Sequence, residues 1–346
     1  QRKPRGIGEC VNVNKTITGG NPMRHRTALA LLTAAATAFA AATTATAEDY
    51  PSDTVRIVVP WRAGGGTDTI ARALGAAMEK IAGKAVVIDN LTAGAGNAGH
   101  VHVKNAKPDG HTMLLNGSSD LNTPVIFRNV PYALEDYACV GAVYQTPTWV
   151  LAHKDQGMTD LAQFIEKAKA EPGKLTVGVG SLISAHYVMA KAILGRNGIN
   201  ARVIPFDGGG PLKKAILGNQ VNIGVIHAPV LLDAVKKGDI NVLAAGGDLA
   251  NIAYEAVRDT KTLDKYNTPV EIGTTRGLFV PKSTPQDVID KAAALVEKAA
   301  TSEDFKAFGD KFGFAPIWWD GKKLCDFMQK ENKQYREIKA EFIDKK

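Results

Sequence analysis

Glycine-rich loops, rather than catalytic motifs, hold the residues of this sequence that could do chemistry. The most conspicuous loop, residues 60–68, has three consecutive glycines followed by Thr67 and Asp68. Glycine lets backbone N–H groups approach a ligand closely, and the helix expected to follow brings about half a positive charge at its N-terminus. Thr67 or Asp68 would cap that helix, and Arg62 could reach an anion. The loop therefore predicts an anion-binding site; an ordinary tight turn before a helix is the alternative.

A literal G-x-G-x-x-G pattern occupies residues 94–99, with Asp120 about 20 residues further on, as in dinucleotide-binding loops. However, residues 90–93 lengthen the turn between the preceding predicted strand and the glycines. Asp120 also follows the third predicted strand, whereas the fingerprint needs an acid at the end of the second. We therefore predict no cofactor, and we interpret the pattern as a glycine-lined cleft wall or a plain loop.

Three further loops offer hydroxyl groups and backbone donors suited to carboxylate oxygens, with helix capping as the alternative role. They are residues 116–120, 178–186 and 206–211. The candidate ligand-contacting residues in these loops are Ser118, Ser119, Gly180, Ser181, His186, Asp207 and Gly208. Trp61 is another candidate, because its indole ring could stack on an aromatic ligand; packing in the core is the alternative.

Recognised catalytic and metal-binding motifs are absent from the sequence. Ser181 lacks the following glycine of a G-x-S-x-G elbow, and no H-E-x-x-H or C-x-x-C motif occurs. His100 and His102 are two positions apart and would not share a helix face. We therefore expect neither an enzyme nor a metal site. The enzymatic alternative, an exported hydrolase using Ser181 with His186, lacks an identifiable acidic partner and oxyanion hole.

Composition and charge indicate a globular protein without a nucleic-acid partner. The chain has 346 residues, of which 45% are hydrophobic and 22% are charged. Its net charge of +7 is concentrated at one end, because residues 1–47 hold six basic residues against Glu9 alone. The remaining 36 basic and 34 acidic residues leave only +2 over residues 48–346. That balance gives no electrostatic footprint for nucleic acid.

The basic N-terminal end has the pattern of an export signal. Met23 starts a short charged region, residues 27–42 form an apolar run rich in Ala and Leu, and residues 45–47 fit a small-x-small cleavage site. We predict an upstream extension over residues 1–22, a signal peptide over residues 23–47, and a periplasmic protein. The apolar run is short for a membrane span, so we expect no stable membrane anchor; an anchor helix is the alternative.

Export bears on the two cysteines that follow the signal. Cys139 and Cys325 are separated by 186 positions, and an oxidising compartment would allow them to pair. Two unrelated buried thiols are the expectation, with a disulfide as the alternative.

Strand and helix signals alternate almost throughout the chain after residue 48. Apolar, β-branched runs predict strands at residues 55–59, 85–88, 111–115, 139–143, 149–152, 175–179, 202–204, 221–226 and 240–244, and the chain after residues 277–280 is expected to be helical. Helical periodicity predicts helices from residue 67 and at residues 161–170, 184–195, 211–217, 229–237, 285–300, 303–312 and 322–341. This alternation indicates α/β architecture, with parallel sheets flanked by helices and ligands bound beyond the carboxyl ends of strands.

The order of these motifs resembles a known family. The residues that carry the resemblance are 50–61, 63–72, 86–90, 94–99, 108–112, 180–186 and 205–221. Together they look like Bug/TctC-type substrate-binding proteins of tripartite tricarboxylate transporters, in the right order over essentially the whole chain after residue 47.

The resemblance implies a two-domain periplasmic-binding-protein fold, type II-like, in which each domain is a mostly parallel sheet flanked by helices. The ligand, a small carboxylate, would lie in the interdomain cleft and accept hydrogen bonds from backbone N–H groups. Carried over to this sequence, the family pattern nominates Ala63, Gly64, Gly65, Thr67 and Asp68 on one wall and Gly180, Ser181 and His186 on the other. Ser118 and Ser119 match the family's third loop.

Three departures from the family pattern bear on the ligand rather than on the fold. Residues 90–93 lack the usual Arg-Pro, Arg62 is charged where a small residue is usual, and His227 stands where an acidic or amide residue is common. A cationic Arg62 beside the cleft would favour a second carboxylate on the ligand.

We expect domain 1 to comprise residues 50–148 plus 276–346 and domain 2 to comprise residues 149–275, with crossings near residues 146–152 and 274–280. The expected function is capture of the carboxylate by hinge closure, without catalysis, by a monomer that docks on a membrane permease. A ligand-loaded sensor that signals to a receptor is the alternative outside transport.

Overall fold

The computed structural model describes residues 50–247, 249 and 254–344, all of which fall within one compact unit, Tyr50–Lys346. The predicted upstream extension (residues 1–22) and signal peptide (residues 23–47) lie outside the described residues. Within the described part, every helix is too short or too polar to cross a membrane.

The strands of the described chain form one mixed sheet. They are β1 (Val55–Val59), β2 (Val86–Asn90), β3 (Thr112–Gly117), β4 (Tyr137–His153), β5 (Thr176–Val179), β6 (Arg202–Pro205), β7 (Ile223–His227), β8 (Ile240–Ala245), β9 (Gly273–Pro281) and β10 (Trp319–Asp320). Their order is β2-β1-β3-β9-β4-β7-β5-β6, and β8 and β10 also pair with β4. β1 is parallel to β2 and β3, and β5 is parallel to β6 and β7. The α/β class is as expected, but β4 and β9 run antiparallel through the middle.

Strand β4 is one run of 17 residues, so the predicted division into strands at residues 139–143 and 149–152 is wrong. Polar residues and Pro147 interrupt the apolar pattern between these segments. Nevertheless the backbone stays extended there, because Gln145 pairs with Thr275 on the neighbouring strand β9. The long strand passes from one half of the sheet to the other.

The α-helices of the described chain are α1 (Gly66–Ala82), α2 (Asn97–Lys104), α3 (Ser118–Phe127), α4 (Leu161–Ala170), α5 (Ala185–Arg196), α6 (Gly209–Leu217), α7 (Leu232–Lys236), α8 (Gln286–Ala300), α9 (Glu303–Phe312) and α10 (Gly321–Phe342). Helix α1 shows how the sequence forms them. Its apolar residues Ile70, Leu74 and Met78 recur every four positions and are all buried. Gly83 ends the helix in the left-handed conformation, and its N–H donates to Glu79 O.

Helix α3 was not predicted, because residues 116–120 read as a loop. The helix contains Pro124 and few strong helix formers, so its sequence gives little local signal. Tertiary contacts stabilise it instead: Asn122 Nδ2 donates to Glu331 Oε2 (2.7 Å) and to Met328 O (3.1 Å) of α10. The loop prediction for Ser118 and the residues after it is therefore wrong.

Separate groups of buried side chains form a core under each half of the sheet. Beside β1 and β3, helices α1, α8 and α9 contribute residues such as Leu74, Val296 and Phe305. Beside β5 and β7, helices α4 and α5 contribute residues such as Phe164 and Val188. Two cores joined by long central strands are the arrangement of a two-domain periplasmic-binding-protein fold. The residue bounds expected for the two domains stay predictions.

Helix α10 packs on both halves. Leu324 and Met328 belong to the cluster beside β3 and β9, whereas Tyr335 and Ile338 belong to the core beside β5 and β7. The C-terminal helix is therefore a third connection between the halves, alongside β4 and β9.

Cys139 of β4 and Cys325 of α10 form a disulfide, with their Cα atoms 5.8 Å apart. The expectation of two separate thiols is therefore wrong. Strand β10 explains the proximity, because Trp319 pairs with Ala142 of β4 and delivers the start of α10 to that strand. Sequence distance gave no indication of this contact.

Candidate ligand-binding cleft

A cavity of about 1030 Å³ opens between the two halves of the sheet; we call it the cleft. Its lining comes from the loops after β1, β2, β5, β6 and β7, together with residues of the adjoining helices α1, α3, α5, α6 and α9 and of strands β4 and β9. These five loops follow the carboxyl ends of strands that pair in parallel, which is where α/β sheets bind ligands. The glycine-rich loops of the sequence therefore meet at one place.

The first wall of the cleft is the loop that leads into α1. Helix α1 begins at Gly66, with Gly65 as the N-cap and no side-chain hydrogen bond to the first turn. The expectation that Thr67 or Asp68 caps the helix is therefore wrong. First-turn N–H groups have no acceptor within a helix, and Gly66 and Thr67 line the cleft. The positive end of α1 thus faces the cavity.

Asp68 organises this loop from beneath. Its side chain is 2% exposed and accepts hydrogen bonds from Gly64 N (2.8 Å), Arg72 Nε (2.9 Å) and Asn90 Nδ2 (3.0 Å). Burial alone would raise the pKa of Asp68, but these hydrogen bonds hold that pKa below its usual range. The carboxylate is therefore a charged scaffold for the loop.

The floor of the cleft holds a buried guanidinium, that of Arg276 on β9. Arg276 is 7% exposed, its Nε donates to Thr67 Oγ1 (3.0 Å), and its Cζ lies 5.0 Å from the centroid of the Tyr144 ring. A Cβ placed on Gly66 would lie 3.9 Å from its Nη2. Among the described residues, no carboxylate oxygen comes within 4.0 Å of this guanidinium. Arg276 is therefore a buried cation without an ion-pair partner in that part of the chain.

Asp120 is the acid of the cleft that interacts with Arg276. Burial raises the pKa of Asp120, and the nearby Arg276 counteracts that rise only in part. Asp120 and Arg276 therefore interact electrostatically without an ion-pair contact within 4.0 Å. Ser118 and Ser119, in the same helical turn, are buried and do not line the cleft.

The second wall is built from the loops after β5 and β6. Gly208 N donates to Gly180 O (2.8 Å) and joins the two loops. Gly208 has a φ of 91° and is the N-cap of α6, again with no side-chain capping bond, and Gly209 lines the cleft beside it. A second uncapped helix N-terminus therefore faces the cavity. Ser181 Oγ accepts from Ile183 N (3.0 Å), and its O–H has no acceptor among the described residues.

Two histidines line the cleft on the same side. His186 Nε2 and His227 Nδ1 are 3.3 Å apart. Burial lowers the pKa of His186 to about 4. The pKa of His227 also lies well below its usual value, because burial, His186 and Arg276 all disfavour its charge. Both rings are therefore neutral at pH 7, and they present an uncharged polar surface to the cleft.

The structure places most, but not all, of the predicted site residues on the cleft. Those that line it are Trp61, Gly64, Thr67, Gly180, Ser181, His186, Asp207 and Gly208. Those outside its lining are Ala63, Gly65, Asp68, Ser118 and Ser119. Arg62 is exposed and is also outside the lining. The ligand contacts assigned to these residues stay predictions.

Sequence reasoning did not nominate several residues of the cleft lining as ligand contacts, among them Arg276, Tyr144, Asp120, His227 and the three phenylalanines 308, 312 and 314. A signal for Arg276 was present, because it is the lone charge within Gly273–Pro281, a strand that is buried throughout. A charged side chain rarely occupies such a position without a function or a partner.

Comparison with known proteins now identifies the family. Residues 70–342 match the TctC family, which is described as the tripartite tricarboxylate transporter family receptor. The chain belongs to this family.

Relatives of this receptor are similar along most of their length. A UPF0065 protein of Bordetella pertussis strain Tohama I is 28% identical over 301 residues, which are 84% of this chain and 89% of that protein. A TctC solute binding protein from Polaromonas, solved without ligand, is 25% identical with a TM-score of 0.74, covering 84% of this chain and 99% of that one. MatC from Rhodopseudomonas palustris, solved with bound malate, is 24% identical with a TM-score of 0.68 and the same two coverages.

The family and the Polaromonas structure are solute-binding proteins, so this receptor is a binding protein and not an enzyme. Within the described residues, no cluster of three His, Cys, Asp or Glu side chains could hold a metal ion. The chemistry that the cleft offers is recognition of an anion by a guanidinium, two helix N-termini and neutral polar groups.

Proposed function

We propose that this receptor is a periplasmic protein that captures a small carboxylate in the cleft and presents it to the membrane permease of a tripartite tricarboxylate transporter. The family description, a transporter receptor, supports the transport role. Two similar structures support the ligand class: MatC was solved with malate, and a second R. palustris protein, 21% identical with a TM-score of 0.71, was solved with adipate. The signal peptide predicted for residues 23–47 supports the periplasmic location.

The observation that carries the proposal is the buried guanidinium of Arg276, which has no ion-pair contact within 4.0 Å among the described residues. Removing a charge from water is unfavourable by several kcal/mol unless a counter-charge compensates it. A ligand carboxylate would supply that counter-charge, and a guanidinium suits the two oxygens of a carboxylate. Nε donates to Thr67 and the guanidinium also hydrogen-bonds Tyr144, so the remaining N–H groups of the guanidinium are the donors left for the ligand.

Backbone dipoles at both walls of the cleft also favour a carboxylate. The N-termini of α1 and α6 face the cleft without side-chain caps, so their first-turn N–H groups can donate to carboxylate oxygens. The two helices belong to different halves of the sheet. A carboxylate that accepts hydrogen bonds from both would hold the halves together and favour a closed form of the protein.

Hinge closure would occur where the central strands pass between the halves. Register pairs there join Gln145 to Thr275, Thr146 to Thr274 and Pro147 to Gly273. A few residues of two strands can absorb the dihedral changes of a rigid-body closure while both cores stay intact. In this proposal the closed, loaded form of a monomer is the one that docks on the permease.

A thermal-shift screen of the purified protein, stripped of bound ligand by unfolding and refolding, tests the proposed function. The panel holds mono-, di- and tricarboxylates, acidic amino acids, and NAD as a control. A ligand at about a hundred times its Kd adds roughly 2.7 kcal/mol of stability, which raises the midpoint by several degrees. We expect such a rise with at least one carboxylate and none with NAD. A rise in the midpoint with NAD alone would contradict the proposal. So would a panel in which none of the acids raises the midpoint.

A further inference from the structure

The cleft has an aromatic wall that starts at the anion-binding floor; we define it as Tyr144, Phe314, Phe308 and Phe312. The Tyr144 ring lies under the guanidinium of Arg276, with 5.0 Å from Cζ to the ring centroid. Successive ring centroids along the wall are 4.6 Å, 5.8 Å and 4.4 Å apart. All four residues border the cleft, but Tyr144 and Phe314 are buried, Phe308 is half-buried and Phe312 is exposed. Ring contacts therefore connect Arg276 to the exposed end of the wall on α9, where Phe308 and Phe312 offer ring surface to a ligand.

Apolar groups also line the cleft from other elements. Ile70 of α1 contributes from the first wall, and Pro229 and Val230 contribute from the short helix after β7. An apolar ligand body beside the aromatic wall would therefore find apolar side chains on more than one side. Binding sites of this kind combine an apolar lining with a few fixed polar groups.

Phe312, at the end of the aromatic wall, is unusually exposed for a large apolar side chain. Its relative exposure is 45%, although it contacts Phe308, which packs in the core. An exposed ring that lines a binding cavity leaves apolar surface for a ligand to cover. Stacking on such a ring favours aromatic ligands in particular.

We infer that the ligand of this receptor is a monocarboxylate with an apolar, preferably aromatic, body, whose carboxylate binds at Arg276 and whose body lies along the aromatic wall. This inference rests on the proposed function and narrows its ligand class. The cleft also holds two exposed cations away from the floor, Arg128 and Lys213. A dicarboxylate that used either of them for its second acid group is the competing occupant, and the experiment distinguishes the two.

Calorimetric titration of the purified protein with matched acids tests the inference. The probes are 3-phenylpropionate and hexanoate, which have one acid group, and adipate, which has a second acid group at a similar length. We expect 3-phenylpropionate to bind at least tenfold more tightly than adipate, with hexanoate between them. Tighter binding of adipate than of both monoacids would overturn the inference and leave the proposed function standing. Failure of every carboxylate in the thermal screen would overturn both.

A variant pair locates the apolar body. Phe312→Ala removes an exposed ring, so the fold should be unaffected, and we expect it to weaken 3-phenylpropionate about tenfold while leaving propionate unchanged. Leu217→Ala is the matched control, because Leu217 is 39% exposed and lies outside the cleft lining; it should leave both affinities unchanged. Equal affinity of Phe312→Ala and the parent protein for 3-phenylpropionate would contradict a body placed on the aromatic wall.

Discussion

At the scale of single residues, the site contains two buried charges that differ in how far other groups of the protein compensate them. Asp68 is buried but receives three hydrogen bonds, so its charge is compensated within the protein. Arg276 is buried with hydrogen bonds to the neutral side chains of Thr67 and Tyr144 and no ion-pair contact among the described residues. The first group therefore fixes a loop, whereas the second is available to a ligand.

Gly66 tests how closely the ligand approaches that guanidinium. A Cβ at this position would lie 3.9 Å from Arg276 Nη2, so a branched side chain would occupy the space next to the donors. We expect Gly66→Val to weaken carboxylate binding at least tenfold in calorimetric titration.

The control for that variant is Gly210→Val, in the first turn of α6. A Cβ on Gly210 would meet no atom within 4 Å, and Gly210 is outside the cleft lining. This variant should bind like the parent. Equal binding by Gly66→Val would show that the ligand does not approach Nη2 from the side of α1.

At the scale of elements, buried contacts between α3 and the middle of α10 hold the site in place. Glu331 is 2% exposed, and its carboxyl oxygens accept from Asn122 Nδ2 (2.7 Å) and Tyr335 OH (2.8 Å). Burial raises the pKa of Glu331 to about 7. This group joins α10 to the helix that carries Asp120 into the cleft.

Glu331 should give the protein a distinctive dependence of stability on pH. Between pH 4.5 and 7 the folded state keeps a proton on Glu331 that the unfolded state has lost, so the free energy of unfolding falls as the pH rises through this window. The resulting fall in the free energy of unfolding across this window is roughly 3 kcal/mol. The Glu331→Gln variant should lack this fall, which denaturant unfolding at pH 5 and pH 8 would measure.

Buried histidines change the free energy of unfolding with pH in the opposite direction. The effect of Glu331 is therefore measured by comparing the parent protein with the Glu331→Gln variant. The pKa values of His100 and His186 are both lowered to about 4, which makes stability rise with pH between about 4 and 6.5. Glu331→Gln keeps these groups, and therefore the difference between the two proteins isolates Glu331. Parallel stability changes in both proteins would contradict the assignment.

The disulfide is the second contact that fixes α10. We expect the Cys139→Ser/Cys325→Ser variant to lose about 2–4 kcal/mol of unfolding free energy, because the cross-link joins the start of α10 to β4. Adding a thiol reductant should destabilise the parent protein and leave the double variant unchanged. Equal stability of the parent with and without reductant would contradict a stabilising role of this disulfide.

Sequence patterns predicted best the elements whose local signals agree with their packing. Strand β1 has the predicted bounds, and helix α1, whose apolar residues are regularly spaced, begins one residue before its predicted start. Helix α3 and the continuous β4 were missed, since partners distant in sequence stabilise both. The Cys139–Cys325 contact was missed for the same reason. The glycine-rich loops were found from sequence because glycine itself is the signal.

At the scale of the whole molecule, the fold places one uncapped helix N-terminus on each side of the cleft, and strands β4 and β9 connect the sides. A ligand that bridges α1 and α6 should therefore change the shape of the protein and not only its stability. We expect the radius of gyration from small-angle X-ray scattering to decrease when a saturating carboxylate is added. An unchanged radius at full occupancy would contradict hinge closure.

The most direct test of carboxylate capture at Arg276 is calorimetric titration of the parent protein and of Arg276→Gln with the carboxylate selected by the screen. The control is Arg56→Gln, which removes an arginine that pairs with Asp89 on the surface and is 52% exposed. We expect saturable one-to-one binding by the parent and by Arg56→Gln, and binding at least a hundredfold weaker by Arg276→Gln. The ligand-free Arg276→Gln protein should be no less stable than the parent, since it lacks a buried charge that has no ion-pair contact among the described residues. Equal affinity of Arg276→Gln and the parent would contradict the central role of this guanidinium.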